Sequence, residues 1–161
     1  MKFIRETVYF DEINNEEIIK REFKLGRTTS FDKKYYFFYF ANLVQVLDQL
    51  ANVEFDLLTC ISGHNGPEAN SPKNLEFTFD DIKDYYLADM AFINFKNCGG
   101  NVVAYVIKGK LEGKEFTIRI NLRKRKIAFY TNSKNPADLE DLEVYTLALE
   151  KSLAKCEEGT L

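Results

Sequence analysis

The chain has no tryptophan and a single histidine, and it carries only 3 Cys, 3 Pro and 8 Gly in 161 residues. One imidazole, His64, excludes an HExxH zinc site, a His-rich metal cluster and any scheme built on two histidines. Cys60, Cys98 and Cys156 are an odd set without CxxC spacing, as expected of ordinary thiols in a reducing compartment. So little glycine and proline excludes collagen-like and low-complexity chains. No apolar run reaches the roughly 18 residues that a membrane helix needs. The start, Met1-Lys2-Phe3-Ile4-Arg5-Glu6, turns polar too early for a signal-peptide core. The expected location is cytoplasmic, with no membrane partner. Phosphate-cradling motifs are missing too. Gly99-Gly100 has no GxGxxG or P-loop around it and reads as a tight turn between strands.

What is present describes a globular chain. Apolar residues make up 45% and aromatics 14%, with 14 Phe and 9 Tyr, enough for a sizeable core at this length. A net charge of −3 argues against the whole molecule acting as an electrostatic nucleic-acid binder. One domain over residues 1–161 is expected, without repeats or linkers.

Periodicity assigns the elements. Met1–Phe10 alternates apolar and charged residues, Asp11–Glu17 reads as a turn, and Ile18–Leu25 completes an N-terminal hairpin. Tyr36, Phe40, Leu43, Leu47 and Leu50 recur at helical spacing, so a long helix is expected over Phe31–Val53. Glu54–Ser62 reads as a buried strand, and Ser62–Asn74 as a long surface loop. Thr78 with Asp81 suggests a cap opening a short helix through Tyr86. Met90–Phe95, Val102–Leu111, Glu115–Leu122 and Lys126–Thr131 read as a four-stranded antiparallel meander. Asn135-Pro136, followed by Asp138, starts a helix whose apolar stripe is Leu142, Tyr145, Leu149 and Leu153. The expected class is α+β: an antiparallel sheet of six to seven strands, covered by a long N-terminal-half helix and a C-terminal helix.

Candidate chemistry is thin. His64 near Ser62 or Cys60 could serve a hydrolase, but no nucleophile-elbow motif surrounds either residue. Acid-x-Lys pairs of the kind metal-dependent nucleases use occur four times, Glu22/Lys24 alone on an expected strand. Chance in a chain with 25 acids gives about two or three. Asp80, Asp81 and Asp84 cluster at an expected helix start, where capping and the helix dipole explain them better than a metal does. No cofactor, metal ligand set or catalytic residue is therefore assigned. Tyr35–Phe40 is aromatic throughout, and core packing explains most of it, an interface part of it.

Charge is unevenly spread. Lys108, Lys110, Lys114, Arg119, Arg123, Lys124, Arg125 and Lys126 face only Glu112 and Glu115, a local balance of +6. A cationic hairpin tip can grip nucleic acid, but none of its residues is aromatic, which weakens single-strand binding. Asp138–Glu158 holds seven acids and two lysines that could neutralise the tip. The leading expectation is a non-enzymatic protein-binding module, such as an immunity or inhibitor protein acting by occlusion. Its partner, another protein, would meet Asp80, Asp81, Asp84, Tyr85, Glu140, Asp141 and Glu143. The alternative is a nucleic-acid-binding protein using Arg119, Arg123, Lys124, Arg125 and Lys126. A small hydrolase or nuclease using His64 or clustered carboxylates stands third.

Overall fold

The structure is a computed structural model, and it describes residues 1–26, 43, 45–47, 49, 53–62, 75–78 and 102–154. Seven strands form one antiparallel sheet: β1 (Lys2–Asp11), β2 (Glu16–Lys24), β3 (Val53–Ser62), β4 (Leu75–Thr78), β5 (Val102–Leu111), β6 (Lys114–Asn121) and β7 (Lys126–Thr131). Their order is β1-β2-β7-β6-β5-β3-β4. One helix, α1 (Pro136–Ala154), follows. The α+β class stands. The long helix over Phe31–Val53 is not shown: Leu43, Gln45–Leu47 and Gln49 are helical, and most of the remainder lies outside the described residues. Leu43 and Leu47 are buried in the core, as the spacing requires, while Val53 already belongs to β3.

The centre of the sheet follows from strict alternation. In β6, Phe116, Ile118 and Ile120 are buried, and Glu115, Thr117, Arg119 and Asn121 point the other way. A pleated strand puts successive side chains on opposite faces, so one apolar set makes one buried face. Neighbouring strands continue it in register. Phe23, Ile127, Ile120 and Tyr105 form one cross-strand row, and Phe129, Ile118 and Ile107 form the next. α1 lays Leu139, Leu142, Leu149 and Leu153 on that face, giving a two-layer core.

Glycine is required at one position in this row system. Gly109 lies between Phe55 on β3 and Phe116 on β6, whose rings meet edge-on at 6.2 Å between centroids. A Cβ there would stand 2.6 Å from the Glu54 carbonyl oxygen and 2.9 Å from Phe116 Cζ. Gly113 serves a turn instead. With Glu112 it makes the two-residue β5–β6 loop at φ of +51° and +82°, the type I′ geometry that matches strand twist.

The other two hairpin turns share a different design. After Asp11 and after Asn121, four residues turn the chain, and the fourth takes positive φ: Asn15 at 53° and Arg125 at 52°. The side chain opening each turn accepts backbone N–H groups. Asp11 Oδ1 takes those of Ile13 (3.0 Å) and Asn14 (3.4 Å), and Asn121 Oδ1 takes that of Lys124 (3.0 Å).

α1 begins as its sequence requires. Asn135 Oδ1 accepts the Ala137 N–H at 3.1 Å, so Asn135 is the cap and Pro136 the first helical residue. Asp138 is buried, and its Oδ2 accepts the Ser133 hydroxyl (2.6 Å) and the Lys114 ammonium (2.9 Å). Those two bonds, the hydroxyl's first, hold its carboxyl below the usual aspartate range.

Two details depart from the sequence reading. β4 occupies Leu75–Thr78, just past the loop expected to end at Asn74 and with Thr78 expected as a helix cap; its Phe77 is buried opposite Leu58. Val102–Thr131 forms three meander strands, whose flank is β3; Met90–Phe95 lies outside the described residues.

Candidate functional site

The sheet face turned away from α1 is built from the polar half of each alternation. Register places its side chains in cross-strand rows. Thr7, Lys20, Tyr130, Thr117 and Lys108 form one row, and Arg5, Glu22, Ala128, Arg119 and Val106 the next. Lys2, Lys24 and Lys126 begin a third, three like charges on adjacent strands. Like charges directly opposite each other repel, so the packing of this end does not account for them.

Part of this charge is matched. Glu22 accepts Lys20 at 2.6 Å and Arg5 at 3.2 Å. The Lys20 hydrogen bond is the main reason the Glu22 carboxyl sits below its ordinary range, with Arg5 and Lys126 helping against burial. The same bond raises Lys20, whose ammonium also lies 5.3 Å from the Tyr130 ring centre. Burial, then Tyr130, raises Tyr9 on the neighbouring stretch of β1. This arrangement also answers the Glu22/Lys24 nuclease pairing: Glu22 is bound by Lys20 and Arg5. Among the described residues no three His, Cys, Asp or Glu side chains converge as a metal site would need.

Among the described residues three concavities open on this face, and two of them include Tyr130. The first, about 410 Å³, runs between Tyr9 on β1, Tyr130 on β7 and Lys108 on β5. The second, about 250 Å³, has Ala128 among its walls and is rimmed by Lys20, Arg119, Lys124, Lys126 and Tyr130. Ala128 creates that hollow, since it is a short side chain between Glu22 and Arg119 in a row of long ones.

The expected nucleic-acid residues are brought together here. Arg119 and Lys126 lie on this face, while Arg123, Lys124 and Arg125 form the exposed β6–β7 turn. The turn is pinned on both flanks: the Leu122 N–H donates to Val103, and the Leu25 N–H donates to Arg125, both at 2.8 Å. Three of the described helix acids pair elsewhere. Asp138 takes Lys114, Glu143 approaches Arg21 at 3.8 Å, and Glu150 takes the Met1 ammonium at 3.1 Å and the Gly26 N–H at 3.2 Å. Of the expected protein-binding residues, Glu140 and Asp141 are exposed on α1, and Glu143 is half-buried beside Arg21. Asp80, Asp81, Asp84, Tyr85 and His64 lie outside the described residues.

The second notable surface is β1 itself, one of the two outer strands of the described sheet. Among the described residues six large apolar side chains stand exposed, and Phe3, Val8, Tyr9, Phe10 and Ile13 of β1 and its turn are five of them. Val144 on α1 is the sixth. Phe3, Glu6, Val8 and Phe10 face the helix side, because the register shift between Phe3 and Arg5 keeps Phe3 in phase with Glu6. An ionic ladder crosses from this strand to the helix: Arg21 donates to Glu6 at 2.7 Å and reaches Glu143. Sequence reading marked β1 as an amphipathic strand, but not that both of its faces stay exposed.

No protein-family model matches the chain, and neither a curated protein nor a solved structure does so.

Proposed function

We propose that the protein is a non-enzymatic protein-binding module whose partner adds an extended segment to the open edge of β1. The observation that carries this reading is the concentration of exposed apolar side chains on that one outermost strand. Among the described residues β1 pairs on one side only, and a ten-residue edge strand presents a row of main-chain donors and acceptors. A partner strand would satisfy them, and side chains on alternate positions would supply specificity. Phe3, Val8 and Phe10 are each about half exposed, and covering them removes apolar area worth roughly 25 cal/mol per Å².

The chemistry of the partner follows from the flank. Glu6 and Glu143 flank the single Arg21 on the helix side of this edge, two carboxylates to one guanidinium, so the segment that docks carries apolar residues and a Lys or Arg. Occlusion of the partner's own surface, as in an inhibitor or immunity protein, is the form of activity that such an edge supports without reactive groups.

The test compares wild type with a Phe3→Lys/Phe10→Lys double variant as baits in nuclease-treated lysate of the native source. A stoichiometric protein retained by wild type and lost by the variant, at equal melting temperature, is the expected result. Recovery of the same protein by both baits removes β1 as the docking edge.

A further inference from the structure

We propose that the helix-free sheet face is a binding track for single-stranded nucleic acid, with backbone phosphates held beside Ala128 and bases set against Tyr130 and Tyr9. This site is separate from the β1 edge, and its test stands apart from that reading.

Three observations carry it. The first is charge in excess of its acceptors. Lys20 is committed to Glu22, and Lys126 feels Glu22 only beyond ion-pair distance; among the described residues Arg119 and Lys124 have no ion-pair partner, and all three of Arg119, Lys124 and Lys126 rim the hollow beside Ala128. Lys24 and Lys2 extend the same sign across two further strands. Strands lie about 4.8 Å apart, so these cations span more than one phosphate of an extended backbone. Phosphate oxygens are the ligand that so many donors in excess of their acceptors select.

The second observation is continuity with aromatic surface. The first two concavities share Arg119 and Tyr130, so the cationic end runs directly into the stretch between Tyr130 and the exposed Tyr9. A basic groove leading along aromatic side chains is the sequence-tolerant way of holding single strands. The hairpin tip has no aromatic of its own; register supplies two from β1 and β7.

The third observation selects single strands over duplex. Insertion into a duplex groove needs a projecting element. The Arg123–Arg125 turn is bonded on one flank to Leu25, just past β2, and on the other its neighbour Leu122 is bonded to Val103 of β5, so it stays part of the sheet end. The cations therefore present a track across a face, not a probe for a groove.

The experiment measures fluorescence anisotropy of a labelled oligothymidylate of about 12 nucleotides, and of a duplex of the same length, titrated with the full chain. Between about 50 and 200 mM salt, binding to the single strand should fall with a log–log slope of about −2 to −3, about 0.7 per phosphate held. Lys124→Glu/Lys126→Glu should weaken it by about tenfold or more and flatten the slope. Tyr9→Ala should weaken it about fivefold with the slope unchanged, the signature of lost stacking. Should the double variant fail to fold by circular dichroism, Ala128→Met fills the hollow without altering charge and must weaken binding likewise. The proposal is overturned by absence of binding at low salt, by variants that bind as wild type does, or by a duplex bound as tightly as the single strand. Displacement by inorganic tripolyphosphate together with an unaffected Tyr9→Ala overturns it as well, since that is adsorption of any polyanion.

Discussion

β1 and β6 are strands of similar alternation with opposite fates. Both place apolar side chains on the helix side: Phe3, Val8 and Phe10 in one, Phe116, Ile118 and Ile120 in the other. The β6 set is buried to 3% or less, whereas the β1 set stays more than half exposed. β6 has a strand on each side, β1 has only β2 among the described strands, and the buried residues of α1 pack within the core cluster that β6 belongs to. Alternation determines which face a side chain takes; the neighbours of a strand determine whether that face becomes core. The comparison also separates roles, since a strand the core does not need is one that a partner can use.

The widest gap between the two strands should appear on truncation. Ile118→Ala removes a fully enclosed side chain and should cost about 2–5 kcal/mol in urea unfolding. Gly109→Ala tests the same central rows by overfilling. Its Cβ would press on the Glu54 carbonyl oxygen and the Phe116 ring, so a loss of about 1–3 kcal/mol is expected. A stability unchanged by either substitution would mean the centre is looser than its packing implies.

Asp138→Ala strips Ser133 and Lys114 of their shared acceptor and should cost about 1–2 kcal/mol. The pH dependence sharpens this. Asp138 titrates below its ordinary value when folded, so its contribution is fully present above that value, about pH 3.9, and is lost as the pH falls through the lowered one. Wild type should therefore lose more stability than the Ala variant between pH 5 and 2 in acid titrations followed by circular dichroism, an interval of about that width being where carboxylates titrate.

Arg125→Gly is expected to be more stable than Arg125→Ala by about 0.5–1 kcal/mol in urea unfolding, because both lose the arginine side chain and only glycine holds the positive φ without Cβ strain. The matching turn of the β1–β2 hairpin uses Asn15, which already tolerates that conformation. Smallest of all should be Val8→Lys, within about 0.5 kcal/mol of wild type, since the position is already half in water. A loss as large as that of Ile118→Ala would place β1 in the core and dissolve the contrast.

Long, strongly patterned elements were legible beforehand. β1, β2, β3 and β5 to β7 lie within a residue or two of where alternation set them, and Asn135-Pro136 caps α1 as its residue types imply. β4 was not, because four residues are too few for a period to show, and Thr78 at its end is as good a cap as a strand terminus. Gly109 was equally silent, for its need comes from Phe55 and Phe116 on two other strands. The basic tip was legible as a cluster, but Lys2, Lys20, Lys24 and both tyrosines entered the surface only through register with β7.

By itself, then, the sequence determined the period of each strand, the turn chemistry and the polarity of each face, all of which depend on residues close along the chain. Tertiary structure alone decided that β2 pairs β7 across about a hundred residues, which brings Lys24 opposite Lys126 and leaves β1 outermost. Side chains that meet across strands share no local signal, because the free energy that aligns them comes from burying the common apolar face, and any pair on the other face is carried along with it.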